Sequence, residues 1–221
     1  MSLRVGLLGG TFDPVHNAHL QIAEAAKGLC DLDEVIFIPA AVPPHKNSRD
    51  ITPFSHRANM IQLAIEGRPY LKLSLIESHL PAPSYTIDTL RYFHATLSRD
   101  TELFFIIGTD AFLDVTTWKS YRQVLSAVNF VILGRAGCSG QDAERIIKGL
   151  GYERGDSSRE LLPCWYHPSF QKKIFFPCSP LMSISDISSS RIRQDIKANL
   201  SVAGAMPAAV LEYIQTHCLY V

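Results

Sequence analysis

Short apolar runs alternate along the chain with longer stretches in which apolar positions recur at helical spacing. The apolar runs predict six strands: Leu3–Leu8, Val35–Pro39, Leu71–Leu75, Leu103–Gly108, Asn129–Leu133 and Lys173–Phe176. The stretches between them predict helices at Ala18–Leu29, Pro53–Glu66, Tyr85–Leu97, Tyr121–Ala127 and Gln141–Leu150. Repeated strand–helix units predict an α/β protein with a Rossmann-like open parallel sheet and helices on both faces.

The C-terminal part of the pattern is more helical. A helix is predicted over Ser188–Asn199, and a final amphipathic helix opens at Pro207. Proline, glycine and polar residues predict loops at Pro39–Asp50 and Gly151–Ser158, and the whole stretch up to Pro168 is expected to be irregular surface. Thr52 and Pro53 are typical of a helix N-cap and first helical position.

Composition narrows the number of domains and the class of protein that this pattern allows. The chain has 221 residues, of which 47% are apolar, and 21 basic residues balance 21 acidic ones. A single domain is therefore expected, and no basic field indicates nucleic-acid binding. Five scattered cysteines without a C-x-x-C pair argue against a disulfide framework. With no apolar run near the ~18 residues of a membrane span and no signal-peptide pattern, we expect a cytoplasmic protein and no membrane association.

The most informative motif is the segment Gly9-Gly10-Thr11-Phe12-Asp13-Pro14-Val15-His16-Asn17-Ala18-His19, which directly follows the first strand. Two glycines allow backbone to approach a ligand closely, and the start of a helix presents free N–H groups. His16 and His19, three residues apart, share one face of that helix. This arrangement favours a polyphosphate site, although neither G-x-G-x-x-G nor G-K-[ST] is present and the histidines lack the glutamate of a zinc protease.

Other strand ends carry similar residue types. Pro43-Pro44-His45-Lys46 lies in the loop after the second strand, Gly108-Thr109-Asp110 follows the fourth, and Gly134-Arg135 follows the fifth. Ligands of open parallel sheets bind at the carboxyl ends of the strands. Near the C-terminus, Ile187-Ser188-Ser189-Ser190-Arg191-Ile192-Arg193 opens a helix and predicts a second anion-binding element.

These motifs resemble those of a known family. The first resembles the G-[GT]-[FS]-D-P-x-H-x-G-H signature of the nucleotidyltransferases, with Ala18 in place of the usual glycine. The C-terminal motif resembles the I-S-S-[ST]-x-I-R signature of the nicotinate-mononucleotide adenylyltransferases. Further matches occur in the same order: Pro43–Lys46, Ser84-Tyr85-Thr86, Ile106–Asp110, Trp118 and the ending near Tyr220.

The resemblance implies two substrate sites within one domain, in which a part at about 181–221 completes the phosphate site of a core at about 1–180. It implies catalytic roles for His16, His19 and Arg191. The ATP site would comprise Gly9, Gly10, Thr11, Phe12, His16, His19, Gly108, Asp110, Arg135, Ser188, Ser189, Arg191 and Arg193. The nicotinate mononucleotide site would comprise His45, Lys46, Arg57, Thr86, Trp118 and Lys119, with Trp118 stacking on the ring. A core role for Trp118 and solvated roles for Lys46 and Arg57 stay open.

The implied reaction is transfer of the adenylyl group of ATP to nicotinate mononucleotide, a step of NAD biosynthesis, with Mg²⁺ bound to ATP rather than held by a carboxylate cluster. One alternative is a sibling enzyme acting on nicotinamide mononucleotide or phosphopantetheine, although the latter enzymes lack the second signature. Another is a nucleotide sensor without catalysis. An RNA-directed ligase is disfavoured by the neutral charge. Whether the chain forms a homo-oligomer is left open.

Overall fold

The computed structural model describes residues 2–44, 50–134, 140–155, 163–177, 185 and 187–221. Its strands are β1 (Arg4–Gly10), β2 (Glu34–Pro39), β3 (Leu71–Leu73), β4 (Glu102–Gly108), β5 (Asn129–Leu133), β6 (Glu153–Arg154), β7 (Cys164–Tyr166) and β8 (Lys173–Phe175). Its α-helices are α1 (Asn17–Cys30), α2 (Phe54–Ile65), α3 (Thr86–Thr96), α4 (Thr109–Leu113), α5 (Tyr121–Ala127), α6 (Gly140–Gly149), α7 (Ser189–Lys197) and α8 (Ala208–Thr216).

All eight of these strands form one sheet, in the order β3-β2-β1-β4-β5-β8-β7-β6. The pairs from β3 to β8 are parallel, whereas β7 runs antiparallel to both of its neighbours. The predicted α/β class with a mostly parallel sheet is therefore confirmed. The chain winds outward from β1 in one direction and continues from β4 in the other. The crevice between the carboxyl ends of β1 and β4 is thus the switch point at which such sheets bind ligands.

Side chains alternate between two buried faces along the central strands. On β4, Phe104 and Ile106 belong to a core with α1, α2 and α8, whereas Phe105 and Ile107 belong to a core with α3, α5 and α6. Because helices cover both faces, the strands are continuous apolar runs rather than half-polar ones. This explains why the strands were visible as apolar runs in the sequence.

The stretch from residue 151 to 168 corrects the sequence prediction. The sequence predicts irregular surface, but the described residues of this stretch contribute β6 and β7 to the sheet edge, and both Tyr152 and Trp165 are buried. Strands of two or three residues carry no periodic signal, and these two exist by pairing, β7 with β8 and β6 with β7. In addition, Pro53 rather than Thr52 is the N-cap of α2, and Thr109–Leu113 forms a short helix that was not predicted.

The C-terminal helices lie close to the beginning of the chain. α8 packs against α2, and Asn17 at the start of α1 bonds to the backbone oxygens of Gly204 and Ala205 at 2.8 and 2.9 Å. Burial raises the pKa of Cys30, the last residue of α1, to about 12, so that its thiol stays neutral. The longest described helix, α1, has 14 residues, and no helix in the described ranges has the length and apolarity of a membrane span.

Candidate active site

The first motif forms the turn between β1 and α1, with His16 at the N-cap of the helix. The backbone N–H of His16 donates to Nδ1 of His19 at 3.2 Å, and the two imidazole rings stack with centroids 3.8 Å apart. Because Nδ1 of His19 accepts this bond, the proton of neutral His19 lies on Nε2. His16 is buried, with 1% of its surface exposed. His19 lines a cavity at the carboxyl ends of β1 and β4, which is described below.

The ring of Phe12 packs against this turn. Its backbone is left-handed at φ +51°, and its ring lies 4.9 Å from that of His19 and 5.5 Å from that of Phe37. A Cβ atom on Gly10 would approach the Phe12 ring to 3.0 Å, which is one reason for glycine at this position. The Phe12 side chain is buried and does not line the cavity, so its predicted contact with ATP stays a prediction.

Ala18, the departure from the family signature, points away from the cavity. It is fully buried in the core with Val15 and Phe37. Its methyl group therefore packs under α1 and does not crowd a ligand beside His19.

The second motif lies directly against the first. Ser188 caps α7 by accepting from the N–H of Arg191, and the hydroxyl of Ser189 donates to the backbone oxygen of Pro14 at 2.9 Å. Arg193 donates to the backbone oxygen of Asp13 at 2.7 Å. The two predicted phosphate elements, far apart in sequence, are thus brought together. The Arg191 side chain is 70% exposed and pairs with Asp195 at 2.8 Å, so its catalytic role stays a prediction.

A buried polar network stabilises the junction. The carboxylate of Asp13 is 3% exposed and accepts from the hydroxyl of Tyr220 at 2.6 Å and from the N–H of Thr52 at 3.3 Å. Burial, followed by the hydrogen bond to Asp13, raises the pKa of Tyr220 well above its ordinary value. Tyr220 therefore remains a neutral donor. The sequence pattern alone did not indicate this contact.

A cavity of about 360 Å³ opens at the carboxyl ends of β1 and β4. Its lining includes predicted ATP-site residues together with Thr86 and Trp118 from the predicted mononucleotide site: Gly9, Gly10, His19, Gly108, Asp110, Thr86 and Trp118. Thr109, which belongs to the predicted strand-end motif but was assigned no substrate, also lines it, and its buried hydroxyl has no hydrogen-bond partner within the described structure. The cavity therefore joins the two predicted sites.

A second cavity of about 370 Å³ adjoins the first through Ser84, Thr86 and Trp118. Trp118 is half-buried and packs edge-to-face on Phe105, with ring centroids 5.9 Å apart. Lys119 pairs with Asp88 at 3.0 Å and lies over the ring of Tyr85. The predicted set Thr86, Trp118 and Lys119 is thus assembled at one place, and Trp118 is not a fully buried core aromatic.

Arg57 has contacts that the sequence did not predict. Its side chain is 1% exposed and donates to the backbone oxygens of Thr52, Thr11 and Ala40 at 2.8–2.9 Å, with a longer contact of 3.5 Å to that of Ala41. Burial lowers the pKa of Arg57, and nearby Asp13 counteracts this effect. The observed contacts are structural. Direct contact with substrate stays a prediction that this burial does not favour.

Glu77 is a site residue that sequence reasoning missed. It follows β3 in the turn Ile76–Ser78 and lines the first cavity. Burial raises the pKa of its carboxyl group, an effect that hydrogen bonding from Thr89 partly counteracts. The strand-end rule applied to β3 could have indicated it.

Three predicted residues, His45, Lys46 and Arg135, lie outside the described residues. Within the described ranges, no group of three or more histidine, cysteine, aspartate or glutamate side chains is arranged to hold a metal ion.

Comparison with known proteins shows the family of the chain. Residues 7–195 match the family model described as cytidylyltransferase-like. A relative from Desulfotalea psychrophila, named as a probable nicotinate-nucleotide adenylyltransferase, is 37% identical over 98% of this chain and 99% of its own length. One of the same name from Pelobacter propionicus is 39% identical over 99% and 98% of the two chains. A structure of the Plasmodium falciparum nicotinic acid mononucleotide adenylyltransferase complexed with NaAD is 19% identical in sequence. The match covers 99% of this chain and 97% of that one, with a TM-score of 0.72.

The fold and these relatives therefore define a nucleotidyltransferase. The chain belongs to the cytidylyltransferase-like family and, within it, to the nicotinate-nucleotide adenylyltransferases.

Proposed function

We propose that this protein transfers the adenylyl group of Mg²⁺-bound ATP to nicotinate mononucleotide, giving nicotinate adenine dinucleotide and pyrophosphate. One observation carries the proposal. The turn before α1 is hydrogen-bonded to the first turns of α7, and both lie beside a cavity that extends to Thr86 and Trp118. Two helix N-termini and the arginines of α7 favour a polyphosphate at one end of that cavity.

In this reaction a phosphate oxygen of the mononucleotide forms a bond to the α-phosphorus of ATP, while the bond from that phosphorus to the β-phosphate bridging oxygen breaks. The nucleophile is already an anion and the leaving pyrophosphate takes the electron pair, so no proton need be removed by a protein base. The protein contributes positioning and stabilisation of charge. A cation bound to the triphosphate supplies further charge neutralisation.

The residues have distinct proposed roles. His19, with its proton on Nε2, would donate to the phosphates, and His16 would hold the His19 ring in place by stacking. The N-terminal turn of α7, with Ser189 and Arg191, would face the same phosphates. Gly108 and Asp110 lie at the carboxyl end of β4 and the start of α4, where they would meet ribose hydroxyls.

The acceptor would occupy the other end of the cavity. Thr86, in the first turn of α3, would donate to the nicotinate carboxylate, and Trp118 would stack on the ring. Lys119 lies beside them, and its charge favours an acidic ring over a neutral one, although Asp88 partly neutralises it. We further propose that the chain acts in the cytoplasm as one domain, with residues 181–221 completing the phosphate site.

The bond that breaks can be determined with labelled ATP. Incubation with nicotinate mononucleotide should move an α-phosphate label into the dinucleotide and a γ-phosphate label into pyrophosphate. Release of the γ-label as inorganic phosphate would contradict adenylyl transfer. Binding of ATP with no movement of either label would instead indicate a nucleotide sensor.

A further inference from the structure

Glu77 lies where two walls of the active-site cavity meet. The hydroxyl of Thr89 donates to its Oε1 atom at 2.7 Å. The N–H of Ala41 and the hydroxyl of Ser84 also face the carboxyl group and lower its pKa, although only the Thr89 bond has good hydrogen-bond geometry. The other oxygen, Oε2, is buried and has no hydrogen-bond partner within the described residues.

The first of these walls is the segment after β2, which begins at Ala40. Arg57 donates to the backbone oxygen of Ala40 at 2.8 Å from beneath. Ser84 bonds to Val42 from the opposite side, with its N–H 2.9 Å from the Val42 oxygen and its hydroxyl 3.1 Å from the Val42 nitrogen. The segment therefore lies between a guanidinium that binds its carbonyls and a carboxyl group that faces its N–H.

The second wall is the start of α3. Ser84 and Thr86 line both cavities, and Thr89, one turn further along, lines the first. Glu77 bonds to Thr89 of the second wall and faces the N–H of Ala41 in the first, so it joins the two walls beside the direct Ser84–Val42 bonds. A wall built only for stability could use an apolar side chain at this position, because burying a carboxyl group is costly unless it is fully hydrogen-bonded.

We propose that Glu77 is a positioning residue for the acceptor mononucleotide, which helps the Ser84–Val42 bonds to set the separation between the segment at Ala40–Pro44 and the first turn of α3. This inference rests on the proposed function, since the acceptor is expected between these walls. Loss of Glu77 is expected to loosen the acceptor end of the cavity. The phosphate end, formed by α1 and α7, should be unaffected because Glu77 does not contact those helices.

The test is a comparison of steady-state kinetics for the wild type, Glu77→Ala, Glu77→Gln and the control Glu66→Ala. Glu66 is an exposed glutamate at the end of α2, away from the cavity. For Glu77→Ala we expect the KM of nicotinate mononucleotide to rise about tenfold, equivalent to about 1.4 kcal/mol. The KM of ATP and kcat should stay close to wild type. Glu77→Gln should recover most of the loss, because its amide oxygen still accepts from Thr89.

An unchanged KM for the mononucleotide in Glu77→Ala would overturn the inference, and so would equal increases for both substrates. If Glu77→Ala does not fold, Thr89→Val removes only the hydroxyl partner. A selective rise in the mononucleotide KM would then support the inference, and wild-type kinetics would overturn it. Wild-type protein without turnover of nicotinate mononucleotide would overturn the proposed function itself, which separates the two failures.

Discussion

The hydroxyl of Tyr220 donates a 2.6 Å hydrogen bond to the carboxylate of Asp13, a residue 207 positions earlier in the chain. Asp13 belongs to the turn between β1 and α1, and Arg193 from α7 donates to its backbone oxygen. The last residues of the chain thus fix the turn that carries His16 and His19. Because the carboxylate is buried, this contact is stronger than a surface hydrogen bond of the same length.

Removing the hydroxyl of Tyr220 should destabilise the protein. In Tyr220→Phe the buried carboxylate of Asp13 keeps only the N–H of Thr52 as a described partner. We expect the free energy of unfolding to fall by about 1–3 kcal/mol, measured by urea unfolding, with a fall in kcat/KM. Tyr166→Phe is a matched control, because Tyr166 makes an exposed 3.0 Å bond to Glu153. Equal stability of the two variants would contradict the importance of the buried contact.

His19→Ala should reduce catalysis without unfolding the protein. Loss of one donor to the transferring phosphates is expected to raise the barrier by about 2–4 kcal/mol, seen as a large fall in kcat. The control is His94→Ala, since His94 lies exposed on α3 and bonds to the oxygen of Ala127. If His19→Ala folds and keeps wild-type kcat, the catalytic role of His19 is wrong.

Ala18→Gly, which restores the family signature, should bring no gain in activity. The methyl group of Ala18 is buried in the core and does not line the cavity. The substitution removes that packing and adds the helix cost of glycine, so a stability loss of about 1 kcal/mol or more is expected. Thermal unfolding and kcat/KM measured together test this, and a clear rise in kcat/KM would show that Ala18 does limit the ligand.

Glu77 should make stability depend on pH. Burial raises the pKa of this group above its ordinary value of 4.5, so just above that value the folded protein holds a proton that the unfolded chain has released. Protonation therefore favours the folded state, and this contribution is lost as pH rises through the folded pKa. Relative to Glu77→Gln, the wild type should lose stability across that window. Parallel pH profiles of the free energy of unfolding would contradict this.

Arg57→Lys tests the structural role of the buried guanidinium. A lysine ammonium keeps the charge but cannot reproduce the planar set of donors that contacts four backbone oxygens. We expect a stability loss of about 2–4 kcal/mol, because carbonyls would be left buried without partners. Chemical denaturation measures this loss. Unchanged stability with a raised KM would favour direct contact with substrate instead.

The sequence was sufficient for most of the fold because the central strands are buried on both faces. Runs such as Leu103–Gly108 are apolar throughout, and the helices between them have clear periodicity. It failed where an element depends on its partners. β6 and β7 have only two and three residues and exist by pairing along the sheet edge.

The same distinction applies to the site. The turn before α1 and the first turn of α7 could be predicted from the sequence, because glycine, serine and histidine at the start of a helix are typical of caps and anion-binding turns. The roles of Arg57, Glu77 and Tyr220 were not visible, since burial and distant partners decide them. A charged residue on a helix is usually solvated, and only the fold shows that Arg57 is enclosed by backbone oxygens.

The most direct test of the central claim is the rate of pyrophosphate release from ATP and Mg²⁺ with three acceptors in parallel. These are nicotinate mononucleotide, nicotinamide mononucleotide and phosphopantetheine. The site at Thr86, Trp118 and Lys119 predicts a strong preference in kcat/KM for nicotinate mononucleotide. Turnover of only nicotinamide mononucleotide or phosphopantetheine would contradict the assignment of that site, and no turnover with any acceptor would contradict adenylyl transfer by this protein.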